Sequence, residues 1–161
     1  MKGDNLNVYI IDGNNLIGKS SALSSIQKKD KQLAREKLVY LLDRYFSQKK
    51  YTVYLHLDGF PSENLNSATM KIIYSQKLTA DDKIKKQIED STSRRNITLV
   101  SSDLNLAEFA KVCGSKIVSS EGFIKYLQSN NDQDDEESRI NKMSKSEFLK
   151  LFGADNKENN D

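Results

Sequence analysis

The chain has 161 residues, 37% of them hydrophobic and 30% charged, with a net charge of +2. That describes one globular domain of ordinary size with a small appendage, and no apolar run of about 18 residues supplies a membrane span. One cysteine, Cys113, excludes an internal disulfide, and one histidine, His56, excludes a Cys/His zinc cluster. Any catalysis therefore rests on carboxylates, hydroxyls, amides and lysines.

Taken in chain order, Asn7–Ile11 (NVYII) reads as a strand closed by Asp12-Gly13. Asp30 opens a helical pattern carried by Ala34, Leu38, Leu41, Leu42 and Tyr45. Tyr51–Leu57 is rich in β-branched and aromatic residues, as a strand should be, and ends at Asp58-Gly59. After a loop of about 10 residues comes a strand at Lys71–Tyr74, then a helix from Thr79 with Ala80, Ile84 and Ile88 on one face. Asn96–Val100 is a strand, Asp103–Val112 a helix capped by Gly114, Lys116–Val118 a strand, and Gly122–Leu127 the start of a last helix. Strands alternating with helices predict a three-layer α/β domain with a mainly parallel central sheet, because parallel strands need long crossovers and cover on both faces.

The charge is unevenly spread. Met1–Leu127 carries 20 Lys and Arg against 14 Asp and Glu, a net +6, whereas Gln128–Asp161 carries 5 against 9, a net −4. A basic body suits a polyanionic partner. The acidic run Asn130–Glu137 lacks apolar residues and reads as a flexible linker. The plan predicted is a catalytic domain over 1–128, an acidic linker over 129–142, a short amphipathic helix over 143–153 built on Phe148, Leu149, Leu151 and Phe152, and a disordered tail over 154–161. The N-terminal residues have neither the apolar stretch nor the cleavage site of a secretory signal, so a cytoplasmic protein is expected.

The informative pattern is the position of the acids. Asp12 follows the first strand and Asp58 the second, Asp103 follows the fourth through Ser101-Ser102, and Asp81 and Asp82 fall in the first turn after the third. In a parallel sheet all of these lie on one edge, where ligands bind at a switch of strand order. Clustered carboxylates repel one another and raise their pKa values unless a cation neutralises them. With oxygen ligands only, Mg²⁺ or Mn²⁺ is the expected ion, and such an ion activates water while binding a phosphate oxygen. Each acid also has a local reading: Asp12 and Asp58 as turn residues, Asp103 as a helix cap, Asp82 as the far half of a capping box begun by Thr79. Thr79 and Ser102 are caps or donors that orient the acids, and Asn15 shapes a turn or donates to a carboxylate or a phosphate. Lys19, Arg35, Lys77, Lys83 and the Arg94-Arg95 pair are candidate phosphate contacts. His56 and Cys113 read as structural.

Three segments in register carry a family resemblance. VYIIDGNNLIG at Val8–Gly18 resembles the first strand and loop of NYN domains of the YacP-like branch of the PIN-like nucleases; LTADDKI at Leu78–Ile84 and VSSD at Val100–Asp103 resemble two later motifs of that branch. The resemblance runs from about Asn7 to Leu127. It implies a PIN-like fold and a metal-dependent endoribonuclease acting on RNA to leave 5′-phosphate and 3′-hydroxyl ends. It matches Asp12, Asp81 and Asp103 to metal-binding catalytic acids, Asp58 to the acid after the second strand, and Asn15 to the asparagine of the first motif, so the ion is expected on Asp12, Asp58, Asp81 and Asp103, with Asn15 joining the three catalytic acids. It also implies the ribosome as a candidate partner. Three positions depart from the pattern: Asn14 stands for an aromatic residue, Asp82 for a glutamate, and the acidic linker with its short helix for a long basic helix. A non-catalytic RNA-binding module on the same fold is the competing function, and it gains nothing from acids facing phosphate. A haloacid-dehalogenase-type phosphatase would need a second aspartate where Asn14 stands.

Overall fold

The computed structural model describes residues 7–61 and 65–137. Five strands form one sheet: β1 (Val8–Asp12), β2 (Thr52–Leu57), β3 (Met70–Tyr74), β4 (Ile97–Val100) and β5 (Lys116–Val118). Their order is β3-β2-β1-β4-β5, and every pairing is parallel. The helices among the described residues are α1 (Gly13–Lys19), α2 (Ser21–Lys29), α3 (Lys31–Phe46), α4 (Ala80–Asp90), α5 (Leu104–Val112) and α6 (Ser120–Glu137). The three-layer α/β/α reading holds, with a sheet that is wholly rather than mainly parallel. None of these helices is long and apolar enough to cross a membrane.

Strand alternation sorts the core into two layers. Ile11, Val53, Leu55, Leu57 and Val100 face α1, α2, α3 and α6, where Leu16, Leu38, Leu42, Phe46 and Phe123 complete the larger core. Ile10, Ile97 and Leu99 face the other way, onto Ile84 and Ile88 of α4 and Leu106 and Ala110 of α5. By the same alternation Asp12 falls on the side of Ile10, the side covered by α4 and α5.

Two helices were not anticipated. The Asp12-Gly13 pair makes no turn; β1 passes straight into α1, and a Cβ at Gly13 would come within 2.7 Å of the His56 carbonyl. Only glycine lets the helix start this close to β2. Ser20 then ends α1 and caps α2, its Oγ accepting from the Leu23 N–H at 3.1 Å. Asp30 caps α3 in the same way through Leu33, and Gly114, at φ +90°, closes α5 as predicted. The connection from β2 to β3 contains no helix in its described residues. Asp43 of α3 holds it instead, accepting from the hydroxyls of Ser67 and Thr69, each at 2.6 Å, and from the Ala68 and Thr69 N–H groups.

One boundary is corrected. Residues 130–137, expected in the acidic linker, continue α6 to Glu137. Side chains such as Asn, Gln and Glu carry no apolar signal, yet they do not stop a helix already anchored through Phe123 and Leu127. The rest of that linker, the predicted helix at 143–153 and the tail lie outside the described residues.

Candidate active site

The chain runs outward from β1 to β2 to β3, then returns to lay β4 on the other side of β1. The strand order therefore reverses between β1 and β4, and the crevice at their C-terminal ends is where open parallel sheets bind ligands. Asp12 ends β1 at this point, and the Ser101–Asp103 segment leaves β4 beside it.

Asp12 is 5% exposed. Its Oδ2 accepts a hydrogen bond from Ser101 Oγ at 2.9 Å, and the same hydroxyl accepts from the Asp103 N–H at 3.0 Å. One buried serine thus ties the first acid to the backbone of the third. Burial pushes the Asp12 carboxyl up to about 6, and the charges of Asp81 and Asp103 push in the same direction; Ser101 and the Asn15 N–H favour the anion without prevailing. Asp81 is also raised, first by burial, then by Asp103, with Asp58 and Asp82 adding to the effect and Lys85 opposing it. The acids predicted on one edge therefore sit in one another's fields.

The remaining predicted residues are placed as follows. Asp58 brackets three elements: its N–H donates to Asn14 Oδ1 at 2.8 Å, its Oδ1 accepts from the Ala80 N–H at 2.9 Å, and its carbonyl accepts from Arg35 Nη2 at 2.5 Å. It satisfies a free N–H at the start of α4, next to Asp81. Thr79 caps α4 through the Asp82 N–H, and Asp82 is exposed. Asp103 caps α5, its Oδ1 accepting from the Leu106 N–H at 3.1 Å. Asn15 Oδ1 accepts from the Ser102 N–H at 2.9 Å and from Ser120 Oγ at 2.7 Å, so any donation toward an acid or a phosphate falls to its amide nitrogen.

Ser102 does not orient the acids. Its hydroxyl donates to Glu121 at 2.5 Å and accepts from the Ser120 N–H at 2.9 Å, so it serves the start of α6. Ser101 takes the role expected of Ser102, because neighbouring side chains in an extended segment point to opposite sides. Lys19 and Lys77 are exposed, on the last turn of α1 and just before α4. Arg35 is buried, with its guanidinium 5.6 Å from the Tyr74 ring centroid. Arg94 and Arg95 form a 3₁₀ turn before β4, at the end of the sheet away from the acids. His56 is buried: burial lowers its pKa, and Nε2 pairs with Gln87 Oε1 at 2.7 Å. Sequence reasoning missed Glu121 and Lys85. Glu121 follows β5 as Asp12 follows β1, so the same rule of an acid after each strand would have found it.

The donor set suits a hydrated divalent ion. Among the described residues no three His, Cys, Asp or Glu side chains converge closely enough to hold an ion directly. Magnesium binds through one or two carboxylates and keeps several waters, so it does not need such a cage. A desolvated carboxylate facing two further acids, with Lys85 the cation opposing them at Asp81, is the environment that a hydrated cation relieves.

A wholly parallel sheet of order β3-β2-β1-β4-β5, with an aspartate-lined crevice at its reversal point, is an arrangement that fits the PIN-like class. A family model described as the YacP-like NYN domain matches residues 9–158, and the chain belongs to this family. The match runs past residue 128, where the sequence reading ended the domain. Two crystal structures of Rae1 (YacP) from Bacillus subtilis share the fold. A mutant form is 19% identical with a TM-score of 0.71, covering 91% of this chain and 92% of that one. A second structure is 19% identical with a TM-score of 0.70, covering 89% and 86%. No curated protein matches the chain in sequence.

Proposed function

We propose that this protein is a Mg²⁺- or Mn²⁺-dependent endoribonuclease that hydrolyses RNA phosphodiesters to 5′-phosphate and 3′-hydroxyl products. The observation that carries the reading is the buried Asp12 carboxylate, hydrogen-bonded through Ser101 to the Asp103 backbone and lying in the field of Asp81. Asp12, Asp81, Asp103 and Asp58 would hold a hydrated ion between them, in part through its waters, with Asp58 also bracketing the start of α4. When bound, a divalent cation lowers the pKa of water and offsets charge on the reacting phosphate. Asp103 presents one carboxyl oxygen to this chemistry while the other caps α5. Asn15 keeps α1, the β4 loop and α6 in register and offers its amide to the phosphate. Exposed Lys19 and Lys77 flank the crevice for the RNA backbone.

RNA in the cytoplasm is the proposed setting. The ribosome belongs to the reading as a partner on family resemblance alone, and co-sedimentation of the protein with ribosomes tests it. The decisive experiment incubates purified protein with single-stranded and structured RNA in Mn²⁺, Mg²⁺ or chelator, followed by end-group analysis of the products. Metal-dependent internal cleavage that disappears in Asp12→Asn and Asp81→Asn is expected. Binding without cleavage, unchanged by those substitutions, would make the chain an RNA-binding module instead.

A further inference from the structure

Beside the acidic crevice, and sharing Asp58 with it, lies a cleft of about 610 Å³. One wall is the junction of α2 and α3, with Lys29, Lys31 and Arg35; the other is the end of β2, with Asp58, Gly59 and Phe60. From these residues we infer that the cleft is a nucleotide subsite. It would receive a nucleotide of single-stranded RNA next to the one being cleaved, with the base on Phe60 and a phosphate at Lys29 and Lys31. The inference rests on the ribonuclease reading and extends it from the cleaved bond to the neighbouring part of the strand.

Two independent features point to this ligand. The first is Phe60, an aromatic ring 56% exposed at the mouth of the cleft and outside both cores. An exposed ring beside cations is the platform on which single-stranded nucleic acids stack their bases. The second is the charge on the α3 wall. Lys29 and Lys31 flank the α3 cap, and Arg35 lies one turn further along the same face. Arg35 is 7% exposed, lines the cleft, gives Nη2 to the Asp58 carbonyl, and has an Nε without a hydrogen-bond partner among the described residues. Asp30 and Asp58 offset part of this charge and leave three cations against two carboxylates, a net +1. Each carboxylate is turned to a helix start, Asp30 to the Leu33 N–H and Asp58 to the Ala80 N–H. A volume of this size accepts a nucleotide.

Asp58 links the cleft to the crevice. Its carbonyl is held by Arg35 on the cleft side, and its carboxyl raises the pKa of Asp81 on the other. A strand with its phosphate at Asp12 and Asp81 crosses Asp58 and enters the cleft directly.

The test measures equilibrium binding of a fluorescent single-stranded RNA oligonucleotide in chelator, and cleavage of the same RNA in Mn²⁺. The variants are Phe60→Ala, Phe60→Tyr, the double change Lys29→Ala with Lys31→Ala, and Arg94→Ala with Arg95→Ala as a distant basic control. Phe60→Ala should weaken binding on the order of ten-fold and raise KM similarly with kcat unchanged, while Phe60→Tyr restores both. The double lysine change should weaken binding and reduce the salt slope by about 0.7, the single-strand value for one phosphate contact. Wild-type affinity and KM in Phe60→Ala, or an equal loss in the arginine control, would overturn the subsite while leaving metal-dependent cleavage standing. RNA binding that depends on Phe60 without any cleavage would uphold the subsite and remove the ribonuclease reading.

Discussion

The two faces of the sheet are built for different purposes. The face under α1, α2, α3 and α6 is broad and aromatic: Tyr9 meets Phe46 at 5.3 Å and Tyr51 at 5.0 Å, and Tyr45 meets Phe123 at 5.4 Å between ring centroids. Such rings bury large areas and add edge-to-face contacts, so most of the stability resides there. The opposite face is thin and aliphatic, covered by α4 and α5. Both of these helices begin with acids at the crevice, and both lie on the side to which Asp12 points. The larger core anchors the strands, and the smaller one leaves room at its rim for charges that a packed core would not tolerate.

That division is open to direct attack, and the largest effect should come from the thin face. Asp12→Asn keeps the shape and still accepts from Ser101, yet it removes the anion on which the proposed cation depends. Cleavage should fall by about 10³-fold or more, since several kcal/mol of charge stabilisation is withdrawn, with no loss of thermal stability. Steady-state cleavage and calorimetry on the same preparation check both halves. Phe123→Ala on the aromatic face should do the reverse. Deleting a ring 1% exposed costs about 3–5 kcal/mol, or roughly 10 °C in Tm, while the activity per folded molecule at low temperature stays near wild type. A Phe123→Ala protein with normal Tm and no cleavage would break the comparison.

Asp12 also gives the metal-free protein a pH dependence of defined sign. Below about pH 3 the carboxyl is protonated in folded and unfolded chains alike, so its burial carries no electrostatic penalty. As pH rises from the ordinary value of 3.8 toward about 6, the unfolded chain ionises first and folding loses ground. Above about 6 the full penalty is present, about 3 kcal/mol for this shift. In chelator, Asp12→Asn should therefore be more stable than wild type at pH 8 and equal to it at pH 3. Added Mg²⁺ should stabilise wild type and leave the variant unchanged. Urea denaturation at the two pH values, with and without Mg²⁺, measures each arm.

Much of this was legible in the residues. The sheet was readable as mainly parallel because its strands are apolar runs separated by helical patterns, and the acids after the strands lie on the edge that such a sheet gives them. What stayed hidden has physical causes. Helices α1 and α2 are short, and α1 begins at a Gly-Asn-Asn run whose composition signals a turn; it forms because Gly13 alone fits against the His56 carbonyl. Asp43, which holds the β2–β3 connection, carries no local signal of that role, because its partners lie more than 20 residues away. The sequence marks Asp58 as a metal ligand, whereas the bracket it makes with Asn14, Ala80 and Arg35 is set by tertiary approach, to which no local pattern points.

The adjacent serines sharpen the comparison at the smallest scale. Ser101 faces the acids, donating to Asp12 and accepting from the Asp103 N–H; Ser102 faces α6, pairing with Glu121 and the Ser120 N–H. Removing either hydroxyl leaves a polar partner unmatched, so Ser101→Ala and Ser102→Ala should each cost about 1–2 kcal/mol of stability. Their effects on chemistry should differ. A hydrogen bond that orients a metal-holding carboxylate is typically worth about 10–100-fold in metal affinity or activity, so Ser101→Ala should raise the Mn²⁺ concentration for half-maximal cleavage by about that factor. Ser102→Ala should leave the metal requirement within about two-fold, since its hydroxyl touches none of Asp12, Asp81 or Asp103. Metal titrations of cleavage by both variants, with Ser101→Thr restoring the hydroxyl, separate the two roles. Equal shifts in the two alanine variants would mean that the loop acts as one unit, and that the line between the chemical side and the structural side does not run between these two residues.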